Sequence, residues 1–103
     1  MDLGRLINEL AEADQDYVAK FGFRTPHSWR GDYMQLAFEP AENVTVASML
    51  ANARSALGAT FIGYKGGYFT MNEDTDCYID GYGSYDGDKI GPVLLAYMTG
   101  RAG

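Results

Sequence analysis

The spacing of apolar residues changes character near residue 60, and that change constrains the fold more than any other feature of the chain. Before it, two segments repeat apolar side chains at intervals of three and four, the signature of a helix with one buried face. Thr45 stands where an N-cap belongs. Val46, Met49, Leu50, Ala53 and Leu57 then share one stripe, and Gly58 takes the position a helix leaves for a left-handed residue. This predicts a helix over residues 46–57. An earlier stripe of Leu3, Leu6, Ile7, Leu10, Ala13, Tyr17 and Phe21 predicts a helix over residues 2–20, with Asp2 as N-cap and Gly22 as its stop.

After residue 60 the chain turns aromatic and β-branched, punctuated by glycine. Residues 61–64 read as a strand. Residues 68–71 and 77–79 flank Asn72-Glu73-Asp74-Thr75-Asp76, a turn composition, and so read as the two arms of a hairpin. Gly81 and Gly83 predict a break or bulge, and Asp86-Gly87 a second turn. The run Val93 to Met98 after Gly91-Pro92 is too short for its period to choose between strand and helix, and the tail from Gly100 reads as frayed. Between the helices, Thr25-Pro26 makes residues 23–31 irregular, and residues 33–38 form a short strand closed by Pro40. The fold class that follows is α+β, a single domain over residues 1–103 with two helices packed on a small, mostly antiparallel sheet.

The 103 residues carry a net charge of −6, distributed unevenly. Five acids and one base occupy residues 1–16. Six acids and no base occupy residues 72–88, whereas residues 20–65 hold five bases and three acids. An acidic chain lacks the basic footprint of a nucleic-acid binder and leaves room for a basic partner. A basic middle that gathers Lys20, Arg24, Arg30, Arg54 and Lys65 would still admit a small anion. One cysteine, Cys77, forbids an internal disulfide. With no signal-like start and no apolar run of membrane length, the reading is a soluble cytoplasmic protein.

Two strings gather chemically useful side chains. His27-Ser28-Trp29-Arg30-Gly31-Asp32-Tyr33 holds the single histidine and single tryptophan of the chain beside an arginine fork. These groups suit a nucleotide-like ligand. They equally suit a core anchor (Trp29), a loop cap (His27) and an ion pair of Arg30 with Asp32 or Glu39. Gly63-Tyr64-Lys65-Gly66-Gly67-Tyr68 lets backbone N–H groups approach an anion beside a point charge, or is a hairpin turn with a solvated lysine; the order of a Walker A loop is absent. The acids from Glu73 to Asp88 lack EF-hand spacing and read as a solvated face rather than a metal site. Catalysis has thin support: a Cys77–His27 pair is the only thiol mechanism available, and Cys77 falls in a strand where a cysteine is ordinarily a buried apolar residue. No cofactor or metal is implied.

The two strings in this order, with Ala37-Phe38-Glu39-Pro40 and an amphipathic helix between them and Cys77 in a following aromatic strand, resemble a family of small bacteriophage-encoded accessory proteins across residues 22–98. Members of that family carry a His-Ser-Trp/Tyr-Arg-Gly-x-Tyr block and a Gly-Tyr/Trp-Lys-Gly-Gly block. Many continue with Glu and Tyr, where this chain has Tyr68 directly. The resemblance implies a context, a small phage protein acting against host defence in the host cytoplasm. In that context the two strings lead to the expectation of a counter-defence protein without catalysis that sequesters a small anionic, nucleotide-derived ligand. Its site would comprise His27, Trp29, Arg30, Tyr33, Tyr64, Lys65, Gly66 and Gly67, and a homo-oligomer would suit it. The competing expectation is an acidic protein–protein inhibitor of a host defence complex, of anti-CRISPR type.

Overall fold

The computed structural model describes residues 1–29, 32–62, 68–80 and 87–101. Their order is α1 (Leu3–Glu12), β1 (Val18–Trp29), β2 (Asp32–Thr45), α2 (Val46–Ala56), β3 (Thr60–Ile62), β4 (Tyr68–Thr70), β5 (Asp76–Asp80), β6 (Gly87–Lys89) and α3 (Pro92–Met98). The main sheet runs β1-β2-β5-β6, and β3 pairs with β4 separately. Among the described residues, only the β2–β5 pairing is parallel. The fold is α+β, with helices on a mostly antiparallel sheet, and the undecided apolar run near the end is the third helix, opened by Pro92 at its first turn.

α1 begins as its sequence predicts. Asp2 accepts the Arg5 N–H at 2.9 Å, and Leu3, Leu6 and Leu10 are buried. It ends eight residues before the predicted boundary. The Gln15 side-chain amide donates to the Leu10 and Ala13 carbonyls at 2.8 and 2.9 Å. Asp14 accepts the Asp16 N–H, and the Tyr17 N–H closes a turn onto the Asp14 carbonyl. Short polar side chains offer the backbone an alternative to the next helical bond, and here they take it. The chain leaves as strand β1, so Tyr17 and Phe21, two of the supposed stripe, are exposed, and Gly22 lies inside a strand rather than at a helix end.

As far as Trp29, β1 also overturns the irregular reading of residues 23–31, of which 30 and 31 lie outside the described residues. It is an edge strand, and Pro26 falls at the register shift between Arg24 and Pro26, where a proline removes no regular ladder bond. Pro40 likewise fails to close β2, which runs on to Thr45. Among the described residues the β5 pairing reaches Phe38↔Ile79, and Pro40 pairs with Phe23 of β1.

α2 carries the predicted Thr45 cap on the Ser48 N–H (3.1 Å) and a Gly58 at φ +79°. Val46, Met49, Leu50, Ala53 and Ala56 are buried; Leu57, placed on the stripe by spacing alone, is 42% exposed because the helix has already ended. α2 crosses β1 closely at Gly22. A Cβ there would stand 2.5 Å from Val44 Cγ2 and 2.7 Å from Met49 Sδ. Gly22→Ala is therefore expected to destabilise by about 1–3 kcal/mol through overpacking. That exceeds the stabilisation of about 0.4–1 kcal/mol that alanine supplies by restricting the unfolded chain. Urea unfolding will show it as a lower midpoint with unchanged slope.

The predicted hairpin of residues 68–71 and 77–79 does not form. β4 turns back onto β3, with Thr60 and Thr70 hydroxyls 3.0 Å apart, and β5 inserts between β2 and β6. The intervening turn exists, held by the Asp74 N–H on Asn72 Oδ1 and the Asn72 N–H on Thr75 Oγ1. Its carbonyls serve another element: Thr75 accepts the Leu3 N–H at 2.8 Å and Glu73 the Gly4 N–H at 3.0 Å, satisfying orphan donors of α1. The tail does not fray at Gly100 and Arg101. Gly100, at φ +74° under the Tyr17 ring, and Arg101 close α3 with N–H bonds to Tyr97 and Ala96, a Schellman motif. The predicted features at Gly81, Gly83 and Asp86 lie outside the described residues; Gly87 belongs to β6.

Candidate functional site

The His27–Tyr33 string is the β1–β2 hairpin. His27 pairs with Ala37 and Ser28 with Leu36, and Trp29 faces Asp32 across the turn. Tyr33 follows in β2. Arg30 lies outside the described residues, as do Tyr64, Lys65, Gly66 and Gly67, which fall between the paired strands β3 and β4. Each string therefore falls where one paired antiparallel strand gives way to the next. β3 touches β1 and β4 touches β2, so the two strand pairs are in contact.

The register places His27, Ala37, Tyr78 and Lys89 in one row across all four strands. Leu36 and Cys77 form the adjacent row and belong to the apolar core. Because successive strand residues face opposite ways, His27 and Cys77 lie on opposite faces of the sheet. Burial pushes the Cys77 thiol up to about 12, which keeps it protonated. A Cys77–His27 nucleophile is excluded on both counts. On the His27 face, Arg24 pairs with Glu39 at 3.2 Å and Lys89 with Asp76 at 3.6 Å. Glu39 is thus already engaged by a residue other than Arg30. Lys20 and Arg24 lie on β1 and Arg54 on α2, with Arg24 committed to its carboxylate.

The two acidic segments, far apart in sequence, do meet. The hydrogen bonds of Leu3 and Gly4 to Thr75 and Glu73 hold the start of α1 against the turn before β5. The result is an open cleft of about 590 Å³ whose carboxylates are Asp2, Glu9, Glu12, Glu73 and Asp74, with Arg5 its one base. Ile7 and the exposed Leu57 give it an apolar edge. Charge counting found both segments, and helical spacing places Asp2, Arg5, Glu9 and Glu12 along one flank of α1. Their union with Glu73 and Asp74 had no sequence signal, because backbone bonds rather than side chains create it. Gly4 permits the approach: a Cβ there would lie 3.1 Å from Glu73 Cβ.

Among the described residues no group of three or more His, Cys, Asp or Glu is arranged to hold a metal ion, and no helix is long and apolar enough to cross a membrane. The fold defines a small mixed-sheet α+β domain. The chain matches no protein family, no curated protein sequence and no solved structure.

Proposed function

We propose that this chain is a non-catalytic binding protein that presents the acidic cleft between α1 and the Glu73-Asp74 turn to a basic protein surface. The observation that carries the reading is the convergence of five carboxylates from both acidic segments on one open concavity with an apolar edge. Complementary charge speeds and orients docking, and an apolar edge supplies area that water releases on contact. In the setting the phage resemblance implies, the partner is a basic groove of a host defence complex.

A second reading keeps the small anionic, nucleotide-derived ligand at the two strings that hold His27, Trp29, Arg30, Tyr33 and residues 64–67. What supports it is the contact between the two strand pairs that carry those strings.

One set of titrations separates the two. An Arg/Lys-rich peptide labelled for fluorescence anisotropy is expected to bind the wild type with an affinity that falls with salt. Glu73→Lys weakens it about tenfold, since reversal replaces attraction by repulsion, whereas Glu42→Lys on exposed β2 changes it by less than about twofold. Equal losses for the two variants would refute the cleft. Saturable binding of cyclic or ADP-ribose-type nucleotides, lost in a folded Arg30→Ala, Lys65→Ala protein, would establish the second reading instead.

A further inference from the structure

We propose that the crevice between α1 and α3 is a binding site for a phosphate group, either free phosphate or the terminal group of a phosphate monoester. The crevice has a volume of about 80 Å³, is lined by Arg5, Glu9 and Arg101, and is floored by Pro92, Leu95 and Ala96. One water needs about 10–15 Å³ of such space, so the crevice has room for a compact oxyanion.

The charges favour that occupant. Arg101 Nη1 meets Glu9 Oε2 at 3.2 Å, which neutralises the one carboxylate of the crevice and leaves the other guanidinium donors available. The Arg5 guanidinium has no hydrogen bond or ion pair among the described residues. The crevice itself sets two planar forks against one carboxylate, and Arg5 and Glu9 also border the acidic cleft. Guanidinium donors match phosphate oxygens in geometry as well as in charge.

Both arginines stand on fixed backbone. Arg5 occupies the first turn of α1, its N–H held by Asp2, and Arg101 is locked by its N–H bond to the Ala96 carbonyl at 2.8 Å. The apolar floor lowers the local dielectric and strengthens attraction to an anion. The crevice shares Arg5 and Glu9 with the acidic cleft, whereas its residues from Pro92 to Arg101 do not border that cleft.

The test is an NMR titration of the ¹⁵N-labelled full chain with inorganic phosphate, glycerol phosphate and acetate at constant ionic strength set by chloride. Saturable shifts are expected at the amides of Arg5, Glu9, Ala96 and Arg101. Saturation by phosphate alone assigns the free ion, and saturation by glycerol phosphate as well assigns a monoester; both support the site. Arg5→Gln, at an exposed helix position that tolerates it, raises the dissociation constant about tenfold through loss of charge-assisted donors. Arg101→Lys, which keeps the charge but loses the fork, also weakens binding. Non-saturating shifts, acetate binding as tightly as phosphate, or unchanged affinity in Arg5→Gln would each overturn the proposal.

Discussion

Phe38→Ala is expected to lower the unfolding free energy by about 3–5 kcal/mol, the range for an aromatic removed from a core that relaxes only in part. Phe38 is fully buried, and its ring centroid lies 4.3 Å from that of Phe23 at an interplanar angle of 42°. It sits in the interior strand β2, paired with Pro26 on one side and Ile79 on the other. Truncation opens a cavity where the two pairings and the helical layer meet. Domains of this size are stable by about 5–15 kcal/mol in all, so the variant is left marginal. Urea unfolding followed by circular dichroism will measure the loss. A double-mutant cycle with Phe23→Ala should return a coupling of about 0.5–1.5 kcal/mol for the ring pair itself. A cost below about 1 kcal/mol would mean the ring is not the packing centre of the sheet.

The second large effect is alkaline. Desolvation by burial raises the Cys77 thiol from 9.0 to about 12; the Met1 ammonium opposes the shift, and Asp76 and Asp2 add to it. The native state therefore holds a proton that the unfolded chain releases. Above about pH 9 the unfolded state binds fewer protons than the native state, so stability falls as pH rises and stops falling once the folded thiol ionises near 12. The slope is about 1.4 kcal/mol per pH unit for one proton. The measurement is the difference between wild type and Cys77→Ala, which cancels the contribution of every other group. Wild type is the more stable at neutral pH, and its advantage is expected to shrink steadily above pH 9. A difference that stays flat with pH would show the thiol to be solvated. The same burial makes Cys77 inert to alkylating reagents until the protein unfolds.

How much of this was legible beforehand varied by element. The Thr45 cap, the Val46-Met49-Leu50-Ala53 stripe and the left-handed Gly58 were readable because caps and periodicity act within a few residues. The end of α1 was misplaced because Tyr17 and Phe21 kept the helical spacing by coincidence. The Asp14-Gln15-Asp16 turn that stops the helix is also a local signal, one outvoted by the apolar count. Gly22 resembled a helix stop and is a close-approach site for α2. The β4–β5 hairpin failed for a different reason. Turn composition reports that the chain reverses, and it does not say which strand each arm will pair with. Of the eight proposed ligand residues, His27, Trp29 and Tyr33 have strand positions in the described structure, and the remaining five lie outside it.

The sequence by itself determined the α+β class, the two capped helices, the absence of any internal disulfide and the charge asymmetry between ends and middle. Each follows from composition or from contacts within a helical turn. Only the tertiary structure decided that β5 lies parallel to β2, that Cys77 and His27 occupy opposite faces, that the acidic ends share a cleft and that Arg5 and Arg101 line one crevice. Those outcomes depend on strand pairing and helix docking between residues many tens of positions apart. The backbone groups that make such pairings are the same in every residue, so no side-chain pattern announces them.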